Sequence, residues 1–221
     1  MPKLEPMLRY AITDRARFKG DEPARHAALL AQAARLAAAG IDFLQLREKD
    51  LPAADLATLT RRLLATLRAH SPAPKLLINS RTDIAIATCA DGVHLTSSPN
   101  EFTPAQVRAL YAAASLPEPV ISLSCHTVDE VARAASPAPE ERPTLILFGP
   151  VFEKVIAGDR ATEKSRVGKK IAAGTDLDLL RAACAAAAPV PVLALGGVTR
   201  ANTDSCLAAG AAGVAAIRQF L

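Results

Sequence analysis

The feature that most limits what this chain can fold into is an alternation. Short aliphatic or β-branched runs and longer, alanine-rich stretches of helical period succeed one another until eight of the short runs have passed. A strand covered on both faces reads as a continuous apolar run, whereas a helix laid on a sheet repeats its apolar positions every three to four residues. The spacing predicts strands at Leu8–Thr13, Ile41–Arg47, Lys75–Asn79, Gly92–Leu95, Val120–Ser124, Thr144–Gly149, Val190–Leu195 and Gly213–Ile217. Helical patterns lie between them at about 22–39, 53–69, 81–89, 104–114, 127–135, 175–187 and 200–208, with Thr103 ahead of Pro104, Thr127 and Thr199 as capping residues. Strands alternating with helices build a parallel sheet. Eight strands and seven helices in 221 residues predict an α/β protein, a (β/α)8 TIM barrel forming one domain over 1–221, near the lower end of that fold's size range.

An open doubly wound sheet is the competing architecture. Its first strand would lead into a G-x-G-x-x-G phosphate turn, and the segment here is ITDRARFKG. Two irregularities mark the barrel pattern. After Ile217 only four residues remain, so the last outer helix is short or missing, and either a neighbouring subunit in a homodimer or the final apolar residues cover the gap. After the sixth strand, residues 153–174 form a long polar connection of the kind a compact barrel tolerates as a functional lid. Proline punctuation, SPAPEERP at 136–143, is the only linker-like stretch.

Composition narrows the partners. Half the residues are hydrophobic and 4% aromatic, so the core is aliphatic and alanine-rich. Lys and Arg total 26 against 22 Asp and Glu, a net charge of +4, but the positive residues are dispersed. This argues against a nucleic-acid partner and leaves small anions. No apolar run approaches the roughly 18–20 residues that span a bilayer, and MPKLEPMLRY lacks the apolar stretch of a secretory signal, so a cytoplasmic protein without a membrane partner is expected. Cys89, Cys125, Cys184 and Cys206 show no C-x-x-C or zinc spacing and are expected as reduced, mostly buried thiols. Cys125 and His126 are strand neighbours that point to opposite faces, so they form no dyad.

Strand parity singles out Gln45-Leu46-Arg47-Glu48-Lys49. Gln45, Arg47 and Lys49 share one face, Leu46 and Glu48 the other. If the first face is the barrel interior, an amide and two cations project at the C-terminal mouth, where this fold places its sites, and an anion such as phosphate or diphosphate complements them. The plainer alternative is a solvated strand end paired with Glu48 or Asp50. The same parity brings Asn79 and Ser124 to that mouth, which suggests a polar pocket for a heterocycle, although each residue alone suits a turn or cap. Gly196-Gly197 after the seventh strand and Ile217-Arg218 after the eighth occupy the usual phosphate cradle of the fold, with a tight turn as the alternative. His94 and His126 serve as acid or base, or as structural hydrogen-bonding groups. Lys164, with Arg166, Lys169 and Lys170, is a solvated loop face or closes over a bound phosphate.

YAITD at 10–14, QLREK at 45–49, LLIN at 76–79, ADGVHL at 90–95, SLSCHT at 122–127, LFGPVFE at 147–153 and ALGGVTRAN at 194–202 together resemble the thiamine phosphate synthase family, over nearly the whole chain and in the family's order. The resemblance implies a TIM barrel that couples hydroxymethylpyrimidine diphosphate to thiazole phosphate, releasing pyrophosphate with Mg²⁺. It further implies that Gln45, Arg47, Lys49 and Asn79 hold the pyrimidine diphosphate. Ser124 bonds the pyrimidine or the departing phosphate, with Arg47, Lys49 and Ser124 the catalytic set. Gly196, Gly197 and the Ile217 and Arg218 backbone hold the thiazole phosphate. This chain departs from the pattern where the family carries its two metal-ligating aspartates: Ser80 and Pro99 stand there, leaving the metal ligands unassigned, with Asp83 and Glu101 as substitutes. The Thr- and Lys-bearing segment after the sixth strand is also replaced, so Thr162 and Lys164 take those parts only if 153–174 folds back. The related thiazole tautomerases carry a His where Pro150 stands. The other readings are a non-catalytic paralogue that binds thiazole phosphate or thiamine phosphate, or a thiazole tautomerase-like protein, which Pro150 would leave without that acid/base residue.

Overall fold

A computed structural model describes residues 7–98, 100–152 and 177–217. Its eight strands are β1 (Leu8–Ile12), β2 (Phe43–Leu46), β3 (Lys75–Asn79), β4 (Gly92–Leu95), β5 (Val120–Cys125), β6 (Leu145–Phe148), β7 (Val192–Leu195) and β8 (Gly213–Ala216). All pair in parallel with their sequence neighbours, and β8 pairs with β1 to close the barrel. Outside it lie α1 (Glu22–Ala38), α2 (Ala53–Arg68), α3 (Thr82–Thr88), α4 (Pro104–Ala113), α5 (Val128–Ala135), α6 (Leu177–Ala187) and α7 (Thr203–Ala208). Among the described residues no helix follows β8, and none is long and apolar enough to cross a membrane.

The helix starts follow from local chemistry. Asp21 accepts a hydrogen bond from the Ala24 N–H ahead of α1, Thr103 and Gln106 form a reciprocal capping box at α4, and Thr127 accepts from the Glu130 N–H at α5. Thr199 is a correction. The Asn202 side chain accepts from the Thr199 N–H, which bends residues 199–202 into a turn and delays α7 until Thr203.

Period-two alternation divides the apolar residues into an inside and two outsides. Tyr10, Ile12, Leu77, Leu145, Leu147, Leu193 and Ala215 fill the barrel. Their strand neighbours face the helices: Leu44, Leu46, Leu76, Ile78 and Ile121 meet Leu29, Leu63 and Val107, while Ile146, Phe148, Val192 and Val214 meet Val131, Leu180 and Cys206. Burying each of these aliphatic side chains stabilises the fold by roughly 1.5–3 kcal/mol, so the floor of the barrel is a rigid plug. The polar inward positions lie above it, at the C-terminal ends of β2 to β5.

Candidate functional site at the barrel mouth

A cavity of about 240 Å³ opens at the C-terminal end of the barrel, lined by Gln45, Arg47, Lys49, Asn79, Ser124 and Ile217, together with His94, His126 and apolar residues. The parity argument therefore holds beyond the end of β2. Gln45 is 1% exposed, Arg47 is half-buried and Lys49 is exposed, and all three face the same space. A second cavity of about 340 Å³ adjoins it between the β2 and β3 loops, sharing Lys49, Asn79 and Thr96 as a common wall.

Neither Arg47 nor Lys49 has an ion-pair partner among the described residues. Glu48 and Asp50, the partners of the plainer alternative, are taken by Arg15 instead. Its guanidinium donates to Glu48 Oε2 at 3.0 Å and to both Asp50 oxygens at 2.7 Å, and its Nε reaches Glu22 at 3.0 Å. The Arg15 fork lowers the Asp50 carboxyl to about 2, and Asp50 in turn raises Arg15 well above its usual range. Thr13 completes the anchor, donating to Glu48 at 2.6 Å while accepting from the Arg47 N–H at 2.9 Å. With its outward residue held by the β1 loop, the β2 loop keeps its cations aimed at the mouth. Sequence reasoning missed Arg15, because its partners lie 33 and 35 residues away.

A chain of polar side chains crosses the cavity floor. Gln45 Nε2 donates to Asn79 Oδ1 at 2.8 Å, and Asn79 Nδ2 donates to Ser80 Oγ at 3.2 Å. This leaves Gln45 Oε1 as a buried acceptor with no partner among the described residues, which a ligand N–H would satisfy. His94, 4% exposed, bridges Ser122 at 2.8 Å through Nδ1 and Ser124 at 3.0 Å through Nε2. Burial first, and the Arg47 charge second, push its pKa down to about 3, so it is neutral at pH 7. His126 donates from Nδ1 to the Gly149 carbonyl at 2.6 Å, and its neighbour Cys125 is buried on the helix side, where burial raises the thiol to about 12. The two form no dyad. All four cysteines are free, though Cys89 is exposed.

At the end of β3, Ser80 takes a left-handed backbone with φ 55 and donates to Glu101 Oε2 at 2.8 Å. The same oxygen accepts from the Thr96 N–H and hydroxyl at 3.2 and 2.9 Å. A carboxylate thus returns to the place where the strand end itself has none, and its second oxygen makes no hydrogen bond among the described residues. Asp83 does not join it, being occupied by Arg81 at 2.6 Å. Pro99, Thr162, Lys164 and Arg218 lie outside the described residues, as does the whole 153–174 segment.

Gly196 and Gly197 have φ of 92 and 65, and a Cβ on them would come within 2.8 Å of Pro150 and 2.6 Å of Phe152. The turn alternative therefore accounts for both glycines, and their N–H groups find no partner among the described residues, which leaves a phosphate role open to them.

Three comparisons bear on this geometry. The sequence profile of the thiamine monophosphate synthase family matches residues 9–220. The chain is 39% identical over 213 residues to a Geobacter sulfurreducens protein provisionally described as a thiamine-phosphate synthase, covering 96% of this chain and 85% of that one. It is 32% identical over 208 residues to the thiamine-phosphate synthase of Roseiflexus sp., covering 94% and 75%. Among solved structures, thiamine phosphate pyrophosphorylase from Pyrococcus furiosus superposes with a TM-score of 0.70 at 22% identity, over 96% of this chain and 85% of that one.

Proposed function

Because the chain belongs to the thiamine monophosphate synthase family, we propose that it is a thiamine-phosphate synthase, joining hydroxymethylpyrimidine diphosphate to thiazole phosphate with release of pyrophosphate. One observation supports this above the others: Arg47 and Lys49 line the mouth cavity together and have no carboxylate partner among the described residues. A ligand that covers two unpaired cations has to bring their counter-charge, and a diphosphate supplies it.

The bond between the pyrimidine methylene and the diphosphate oxygen breaks, and the electron pair leaves with the diphosphate. The electron-rich aminopyrimidine carries the methylene cation until the thiazole nitrogen donates its lone pair to form the C–N bond. No proton has to move, so the protein's work is charge neutralisation and positioning. Arg47 and Lys49 bind the diphosphate and stabilise the charge it gains on departure. Gln45 Oε1 accepts from the pyrimidine amine, and Asn79 is fixed in orientation by Gln45 Nε2. Ser124 adds a hydroxyl from the end of β5. Leu147, Leu195 and Ile217 give the thiazole ring an apolar face, with the Gly196-Gly197 and Ile217-Arg218 main chain for its phosphate. Lys164 is the cation that 153–174 would contribute.

Glu101 and Ser80 fit magnesium. The ion takes hard oxygen donors and is commonly held by one or two carboxylates plus substrate phosphates, and Glu101 is bonded to Ser80 and Thr96, which line the adjoining cavity with Lys49. When bound it adds positive charge against the leaving diphosphate.

A second reading, a paralogue that binds phosphorylated thiazole or thiamine phosphate without turnover, is favoured by Ser80 at the end of β3. One assay separates the two. The full chain is incubated with both precursors over a range of Mg²⁺ concentrations, and thiamine phosphate is measured. Steady turnover supports the synthase; thermal stabilisation by thiamine phosphate with no turnover supports the binder; neither effect overturns both.

A further inference from the structure

We propose that His94 is a positioning residue, its Nε2–H holding the Ser124 hydroxyl so that the Ser124 proton is offered to the mouth and the ligand atom meeting that proton is an acceptor. The polarity follows from the closed end of the chain of hydroxyls. Tyr10 is fully buried, and among the described residues the one hydrogen-bond partner of its hydroxyl is Ser122 Oγ at 2.9 Å. Ser122 is equally buried and has two partners, Tyr10 and His94 Nδ1 at 2.8 Å.

If Tyr10 donates to Ser122, then Ser122 donates its one proton to His94 Nδ1. A neutral imidazole that accepts at Nδ1 carries its proton at Nε2 and donates to Ser124. The Ser124 proton is then left for the cavity, which Ser124 lines. Reversing every bond makes Ser124 donate to Nε2 and Nδ1–H donate to Ser122. Ser122 then either donates to Tyr10, whose own proton is stranded in the core, or accepts from both neighbours and strands its own. An unpaired buried hydroxyl disfavours that arrangement by at least about tenfold. A charged imidazole also donates inward through Nδ1–H and so leaves the Tyr10 or the Ser122 proton unpaired, and among the described residues no carboxylate bonds the ring. The core therefore sets the chemistry of the surface group: a deep hydroxyl must donate, and three bonds later Ser124 is committed to do the same.

The tautomer does not depend on the synthase reading, whereas the identity of the acceptor rests on it. A diphosphate oxygen and a pyrimidine ring nitrogen share the acceptor chemistry, so two probes are needed, inorganic pyrophosphate with Mg²⁺ and the unphosphorylated hydroxymethylpyrimidine. The full chain labelled with ¹⁵N-histidine is first studied without ligand at pH 7, with His94→Gln identifying the His94 signals. A protonated Nε2 and bare Nδ1 are expected, and a protonated Nδ1 overturns the proposal even if turnover is robust.

Binding of both probes is then measured by calorimetry. His94→Gln, which can accept from Ser122 and donate to Ser124, keeps affinity within about twofold. His94→Leu weakens the probe that meets Ser124 about tenfold, with no further loss in the Ser124→Ala background. Losses that add in the double variant mean that His94 acts independently of Ser124 and overturn the positioning role. If the wild type binds neither probe, the synthase reading fails, while the ligand-free spectrum still decides the tautomer.

Discussion

The two halves of the mouth are built on different plans. On the β2–β5 side the lining is polar, with Gln45, Arg47, Lys49, Asn79, His94, Ser124 and His126. On the side of β6 to β8 and β1 it is Leu147, Leu195, Ile217 and Ile12. In the polar half Gln45, Asn79, His94 and Ser124 are oriented by hydrogen bonds to other side chains. The apolar half relies on main chain, packed so closely that Gly196 and Gly197 have no room for a Cβ. On the proposed reading, binding specificity sits in replaceable groups on one side and in backbone shape on the other. Substitutions in the first half should cost chemistry, and substitutions in the second should cost stability.

The sharpest test of that division is Arg47→Ala. Removing one of two cations from the leaving group should slow thiamine phosphate formation by about 10²–10³, with little change in melting temperature. An equal fall in stability would erase the contrast. Gly197→Ala should do the reverse. A residue with φ 65 and a Cβ 2.6 Å from Phe152 should lower unfolding free energy by about 1–3 kcal/mol in denaturant titrations, while the turnover of the folded fraction changes mainly through the KM for thiazole phosphate.

A third test asks how much stability the polar half gives up for its order. His94 has its pKa at about 3 in the fold against an ordinary 6.5, so the unfolded chain takes up the proton first. Stability is unaffected above pH 6.5 and falls as pH drops from 6.5 toward 3, by up to about 1.4 kcal/mol per pH unit, and His94→Gln should remove that slope. Asp50→Asn is the mildest change. The Asp50 carboxyl is held at about 2, so its contribution is present above its ordinary 3.8 and lost as pH falls from there toward 2. Because the side chain is 73% exposed, the loss at neutral pH should stay below about 1 kcal/mol by thermal melting.

Much of this was legible in the chain. Period-two alternation carried the eight strands, and it placed Gln45, Arg47 and Lys49 on one face although two of them lie past the end of β2. What escaped was whatever depends on pairs far apart in sequence. Tyr10 and Ser122 are 112 residues apart, and Arg15 and Glu48 33, so no local spacing announces either bond. Inward parity does mark Tyr10, His94 and Ser122 alike, and that signal could have found the buried network. Glu101 was visible only as a carboxylate near the missing aspartates; its meeting with Ser80 requires the bend of the β4 loop. The Thr199 cap failed because the Asn202 side chain, three residues on, accepts from the Thr199 N–H and closes a turn there, so the helix starts only at Thr203.

The Arg15 clip bears on how such a site could be transplanted. QLREK moved alone into another barrel would bring the two cations without the guanidinium that restrains Glu48 and Asp50, and its outward carboxylate would be free to neutralise them. The portable unit is a discontinuous one, Thr13 and Arg15 from the first loop with the pentapeptide and Asp50 from the second, and a graft that carried only the contiguous piece would arrive already quenched by its own acid.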